Sequence, residues 1–458
     1  MSNEHRIRIL KDKRELINEV SSCFCSAKWL QTTLYLHNGY THSCHHPAPH
    51  VIPLHELEQN PAALHNTVFK KTQRASMLAG DRPQECNYCW NIEDLDTEYF
   101  SDRHYKTSDS WAWDRFDEIS KSNPADDINP SYLEVSFSNN CNFKCVYCSP
   151  EISSSWMTEI KKYGPYPTTV SSHDLTWLTE IGKYPYDHNE YNPYVDAFWK
   201  WFPVVLPSLK IFRITGGEPL MSPDTWKVID YIKTNPQPSL ELVINTNLGV
   251  SAPLITKLID EINLISTAVK SIEIYTSLES TGEDAEYARF GLNFNEWIEN
   301  VNLILTNTTC KVAIMTTVNI LSLPTFTNFI ELIMSFRKKY NNDFAYNRIP
   351  LSINYLQWPP YLSVKLLPDN VRKTFSENIL TACESWLKYY RKETFARLYL
   401  EEWDQIQRFC EFLIQPCVIT NERLDFVNFI NEADKRRSTK FAEIFPVYKN
   451  LLEDWQHG

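Results

Sequence analysis

From residue 133 onward the chain alternates short β-rich runs with helix-spaced segments, and that alternation leaves few folds open to it. Strand candidates fall at 133–138, 209–215, 240–246, 271–277, 312–319 and 351–356. Helical spacing fills 224–233, 254–264, 294–305 and 326–338. Repeated strand–helix units build parallel βαβ crossovers of right hand. Six strands are too few to close an eight-stranded barrel. The pattern therefore predicts an α/β fold with an open, partial (β/α)6 barrel. Its functional residues belong at the C-terminal ends of the strands.

The first of those ends carries Cys141-Asn142-Phe143-Lys144-Cys145-Val146-Tyr147-Cys148. Three thiols at C-x3-C-x2-C spacing suit an iron–sulfur cluster or zinc. A [4Fe–4S] cube has four irons, so three cysteines leave one iron open to a substrate. The second strand ends in Thr215-Gly216-Gly217-Glu218-Pro219. Glycine is scarce here, 10 residues of 458. An adjacent pair in such a chain marks a close approach of backbone to something else.

With these two motifs one strand apart, residues 131–360 resemble the radical S-adenosylmethionine (SAM) enzymes. The resemblance makes Cys141, Cys145 and Cys148 the ligands of a catalytic [4Fe–4S] cluster whose open iron chelates SAM. It puts Tyr147 in the cofactor site and gives Gly216, Gly217 and Glu218 the methionyl amine. A cationic amine wants carbonyl and carboxylate acceptors, which that turn offers. Asn245 and Asn247, ending the third strand, would face the ribose or the carboxylate. The stretches Tyr275–Ser280 and Glu286–Gly291 resemble "S-x-D-S…E-x-x-R-x-G" in that family. This implies that Ser277 contacts the ribose and Arg289 the SAM carboxylate, since a guanidinium suits bidentate carboxylate binding. Glu279 stands where aspartate is more usual, which counts against a specific role for it. Asn319, ending the fifth strand, is a candidate for the adenine. The implied chemistry is reductive cleavage of SAM to methionine and a 5′-deoxyadenosyl radical, which takes hydrogen from a substrate C–H bond. A flavodoxin- or ferredoxin-type donor would supply the electron.

Further cysteines precede the barrel. Cys25 begins Cys25-Ser26-Ala27-Lys28-Trp29, Cys44 follows an apparent hairpin around Asn38-Gly39, and Cys86-Asn87-Tyr88-Cys89 comes later. Four cysteines suit a complete tetrahedral site. They resemble the twitch module, a shortened SPASM-like domain that holds one auxiliary cluster. In some radical SAM proteins it precedes the barrel, with a "C-x-x-P-W" start and a "C-x-x-C" followed by acidic residues and "S-x-R". Glu93, Asp94 and Ser101-Asp102-Arg103 fit that pattern, while Lys28 replaces its proline. The segment Asp434-Lys435-Arg436-Arg437 … Phe445-Pro446 is similar to the tail of these proteins. Zinc is a competing occupant, because seven of the 12 histidines fall between His37 and His65, including His45-His46 beside Cys44. Cys23 is an alternative to Cys25. Cys310, Cys383, Cys410 and Cys417 read as core residues.

Three regions result: 1–130 as an N-terminal auxiliary-cluster domain, 131–367 as the barrel, and 368–458 as a helical extension with helices at 371–389 and 395–413. An aromatic insertion at 149–208 either caps the barrel mouth or packs on its side. A net charge of −12 disfavours nonspecific nucleic-acid or membrane-surface binding. Arg337-Lys338-Lys339 and Lys435-Arg436-Arg437 read as solvated helix faces. The charged first 19 residues predict no export leader, and the 12 cysteines suit the reducing cytoplasm. By resemblance to twitch and SPASM proteins, the leading substrate class is a peptide or protein. A nucleotide, base or other small molecule is second, and a non-catalytic electron carrier third.

Overall fold

The computed structural model describes residues 3–96, 98–187, 189–341, 346–390 and 397–457. Its strands in chain order are β1 (Gln31–Tyr35), β2 (Tyr40–His42), β3 (His50–Val51), β4 (Tyr132–Ser136), β5 (Lys144–Cys145), β6 (Ile211–Thr215), β7 (Gln237–Asn245), β8 (Val269–Ser277), β9 (Arg289–Phe290), β10 (Lys311–Met315) and β11 (Leu351–Ser352). Nine of them form one sheet in the order β11-β10-β8-β7-β6-β4-β1-β2-β3, and β5 pairs with β9 apart from it. The six strands expected from the alternation are β4, β6, β7, β8, β10 and β11. All their pairings are parallel. Helices Pro223–Thr234, Ala252–Ile265, Phe294–Asn307 and Phe326–Tyr340 connect them. The fold is thus mixed α/β around a mostly parallel sheet.

A parallel sheet usually buries both faces. Here only one face is apolar. Leu133, Val135, Phe212, Ile214, Leu242, Ile244, Ile274, Val312 and Ile314 pack into the main core. The intervening residues face the other way and are half-buried: Glu134, Arg213, Asn245, Glu273, Tyr275, Ser277 and Lys311. Alternation along the parallel strands, interrupted by the buried Val243 and Ala313, therefore leaves a mostly polar face over which a ligand can lie.

Residues 1–130 hold a second core around Phe24, Trp29, Trp90 and Trp111. They are also joined to the main sheet, because β1 pairs in parallel with β4 over five residues and β2 and β3 follow antiparallel. The expected tight hairpin differs in one detail. Tyr35 pairs with Tyr40, so the connection has four residues. Gly39 takes φ +78° there, and a Cβ on it would strike the Tyr194 ring.

The two cationic runs are solvated only at their lysines: Lys338, Lys339 and Lys435 are exposed, whereas the arginines turn inward. Arg337 is fully buried and donates to Glu402 at 2.5 and 2.8 Å, while Glu402 also accepts from Leu351 N–H. This pins helix Leu400–Ile414 to edge strand β11. Arg436 and Arg437, on helix Glu422–Arg437, are buried as well. Helix Asp369–Tyr390 forms where the 371–389 spacing predicts one. Of the 395–413 expectation, 395 and 396 lie outside the described residues. Cys310, Cys383 and Cys410 are buried, whereas Cys417 is exposed, its thiol on Lys365 O. No described helix is long and apolar enough to cross a membrane.

Candidate functional site

The loop after β4 carries the three cysteines, and the chain clamps it from several sides. Helix Ser154–Tyr163 starts the 149–208 insertion. Ser153, its N-cap, accepts from Trp156 N–H and donates to Phe143 O at 2.8 Å. Ser154 Oγ accepts from Cys141 N–H at 3.1 Å, and Ser155 Oγ donates to Cys141 O at 2.7 Å. Trp156 Nε1 and His173 Nε2 each donate at 2.9 Å, to Cys145 O and Cys148 O. Further out, Glu159 accepts from Lys144, Tyr166 and Arg437. Burial opposes the Glu159 charge, but Arg437 and these donors together hold its carboxyl below the usual range. The C-terminal arginines thus brace the helix that grips the cysteine loop.

The glycine pair meets that loop directly. Gly217 N–H donates to Ser138 O at 3.1 Å and Glu218 N–H to Asn140 O at 2.7 Å. Gly216 has φ +122°, a region that favours glycine. A Cβ on Gly217 would lie 2.3 Å from Asn140 O. The close approach expected of these glycines is made to the chain's own cysteine loop.

A cavity of about 230 Å³ opens at these strand ends. Cys141, Cys145, Cys148 and Tyr147 line it from the loop, Gly216 and Gly217 from the second turn, Asn245 and Asn247 from the third, and Ser277 and Arg289 from the fourth. Of the residues singled out in the sequence, Glu218 and Asn319 do not line it. Glu218 is buried and accepts from Leu220 and Asn247 N–H, at 3.0 and 2.7 Å. Burial still pushes its carboxyl up to about 7. Asn319 closes its own turn, accepting from Leu321 N–H and donating to Thr317 O. Asn247 lines the cavity with its side chain committed. It donates to Asn142 Oδ1 at 2.8 Å and accepts from Gly249 N–H. Gly249, unremarked in the sequence, and Gly291, which ends the E-x-x-R-x-G-like stretch, both touch Phe143 closely enough that a Cβ would collide with it or its neighbours.

Arg289 lies in β9, opposite Cys145 in β5. Its Nη2 and Nε donate to Glu279 at 2.6 and 3.2 Å, and Nη1 is 3.9 Å from Cys145 Sγ. Tyr147 O–H donates to Glu279 at 3.1 Å. Burial alone would weaken the Arg289 charge, yet Glu279 outweighs it and keeps the guanidinium protonated. Glu279, discounted in the sequence, is therefore the hub of the site. One more carbon than aspartate lets a single carboxylate reach both Arg289 and Tyr147.

Below this cavity, on the polar face, Arg213 donates to Asn245 Oδ1 at 3.0 Å and stacks on Tyr275, 4.7 Å from its ring centre. Glu134 is 3.8 Å away, beyond hydrogen-bond distance, and Arg213 Nη2 lies 3.5 Å from Met315 Sδ.

Cys25, Cys44, Cys86 and Cys89 line one second cavity. Cys23 turns away to Gly80 O. Lys28, Arg103 and Lys106 share the cavity wall. Arg103 braces the Cys86–Cys89 segment, donating to Glu93 at 2.8 and 3.0 Å and to Phe24 O. Lys28 pairs with Glu85. Burial pushes the Cys86, Cys89 and Cys141 thiols up to about 12 and raises those of Cys44, Cys145 and Cys148. Metal binding to either set would therefore release protons. Among the described residues, His45, His46 and Asp102 are the only three such ligand groups within 4.8 Å of one another. The thiols are spread wider than one zinc, with bonds of about 2.3 Å, requires. The nearby Lys28, Arg103 and Lys106 suit a negatively charged cluster.

No protein-family model matches the chain. Curated relatives match part of it. A GTP 3′,8-cyclase of Nostoc punctiforme is 28% identical over 153 residues, 33% of this chain and 36% of the relative. GTP 3′,8-cyclases of another Nostoc and of Acaryochloris marina are 29% and 24% identical over 129 and 156 residues, 28% and 34% of this chain and 31% and 39% of theirs. The chain thus spans about a third of the length of the curated relatives it matches.

Proposed function

We propose that the chain is a radical SAM enzyme acting on a nucleotide. The observation that carries this reading is the convergence of Cys141, Cys145, Cys148, the Gly216-Gly217 turn and Arg289 on one cavity. The partial likeness to GTP 3′,8-cyclases supports both the superfamily and the nucleotide. It favours the second substrate class of the sequence over the peptide. A [4Fe–4S] cluster on Cys141, Cys145 and Cys148 would supply the electron that cleaves SAM.

The chain's own residues supply the rest. On a four-iron cluster the three cysteines would leave one ligand position open, and the Gly216-Gly217 turn brings backbone to the same cavity. Arg289, kept charged by Glu279, offers a cation to a carboxylate in the cavity. Beyond it, the Arg213 guanidinium, stacked on Tyr275, adds positive charge that suits an anionic ligand. Cys25, Cys44, Cys86 and Cys89 are proposed to hold a second, auxiliary cluster. With four ligands it would serve as an electron relay or a brace. A flavodoxin- or ferredoxin-type donor is the proposed partner.

The test is 5′-deoxyadenosine formation by the reconstituted, dithionite-reduced protein with SAM, with and without a panel of nucleoside triphosphates. Formation stimulated at least tenfold by one nucleotide is expected. Formation that no nucleotide alters would remove the nucleotide reading and keep the radical SAM one. No formation at all would remove both.

A further inference from the structure

We propose that His45, His46 and Asp102 form a mononuclear metal site for zinc or a similar transition ion, at the edge of the cavity that the four N-terminal cysteines line and using none of their thiols. Their ligand atoms lie within 4.8 Å of one another. His46 Nε2 is 2.7 Å from Asp102 Oδ2, and His45 Nε2 is 3.7 Å from the same oxygen. Ligand atoms around one tetrahedral ion with bonds of about 2.0–2.2 Å lie about 3.3–3.6 Å apart, so the His45–Asp102 separation matches and the hydrogen-bonded His46–Asp102 pair would open by under about 1 Å to admit the ion.

Each ligand is held by something other than the metal. His46 stacks on Tyr88 with ring centres 3.6 Å apart and planes at 11°. The His45 ring packs beside it at 4.2 Å. Asp102 opens helix Asp102–Ser108, whose N-cap Ser101 is anchored on Glu93. Two histidines adjacent in sequence meet a carboxylate 56 residues later, across the gap between the loop after β2 and that helix. A hydrogen bond between His46 and Asp102 would suffice to start the helix. It does not explain why His45, with 61% of its side chain exposed, turns to the same oxygen.

The donor set selects the ion. Two imidazoles and one carboxylate suit zinc, iron, nickel or copper, whereas magnesium and calcium ask for oxygen ligands. Lys106 lies in the same wall and offsets the one carboxylate charge. That further disfavours a hard cation, whose binding depends on carboxylate charge. Three protein ligands with an exposed His45 leave a coordination position toward solvent, as in zinc sites that bind water or substrate.

The test uses the full chain with its clusters reconstituted anaerobically, equilibrated with zinc and stripped of excess. About one zinc per chain is expected in the wild type. His45→Ala and Asp102→Asn should each lower retained zinc at least tenfold while iron and sulfide stay unchanged, which also reports that the fold is intact. His45 is exposed enough that its removal leaves the core alone. Cys86→Ala should lower iron and keep the zinc. Zinc that stays in His45→Ala, or leaves with Cys86→Ala, would overturn the site, as would no retained zinc in the wild type. Cobalt in place of zinc should show d–d bands without a thiolate charge-transfer band. That band would assign the metal to the cysteines instead.

Discussion

Glu279→Gln is expected to destabilise the chain by about 3–5 kcal/mol, because it leaves a buried guanidinium without its counter-charge. Glu279 is fully buried and Arg289 is 5% exposed. The carboxylate accepts two hydrogen bonds from Arg289 and one from Tyr147. A glutamine keeps the shape and one acceptor oxygen. Its amide group then faces N–H donors, and the charge of Arg289 stays in the low-dielectric interior. Because Arg289 pairs with Cys145 across β5 and β9, the cysteine loop should loosen as well and the variant should bind less iron. Denaturant unfolding of the two proteins measures the effect. A loss under about 1 kcal/mol, the range of exposed pairs, would show that water reaches the pair and that Glu279 is no hub.

Gly217→Ala is the second large effect, about 1–3 kcal/mol or more from overpacking. The added Cβ meets Asn140 O at 2.3 Å and Asn139 C at 2.7 Å. Both are backbone atoms, so no rotamer change relieves the clash. Either the turn after β6 or the cysteine loop must move, and the two hydrogen bonds between them, Gly217 to Ser138 O and Glu218 to Asn140 O, are at stake. The expected readout is lower stability together with iron loading below half of wild type. Wild-type iron content with unchanged stability would mean that the turn and the loop are not in rigid contact.

The parts legible in the sequence are those written locally. Each of β4, β6, β7, β8, β10 and β11 announces itself by apolar alternation, and each crossover helix by its own period. The cysteine triplet and the glycine pair stand out because thiols and glycines at fixed spacing have few other uses. What was missed depends on distant residues. The β1–β4 pairing joins residues about 100 positions apart, and nothing in 31–35 names its partner. Arg337 and Arg437 look like solvent-facing cations until Glu402 and Glu159, far along the chain, come to meet them, and Arg436 until it reaches Gly164 O. Glu279 was judged by its departure from a pattern. Its reach to both Tyr147 and Arg289 is visible only once the strand ends are assembled. Asn319 and Glu218 show the converse. A polar residue at a strand end is as readily used to close a turn as to meet a ligand.

Cys141, Cys145 and Cys148 are proposed to hold one cluster and Cys25, Cys44, Cys86 and Cys89 another. Iron and sulfide per chain, after anaerobic reconstitution of the wild type and of the Cys141/Cys145/Cys148 triple alanine variant, test it most directly. About eight irons falling to about four is the predicted result. Wild-type iron that the triple variant leaves unchanged would contradict it.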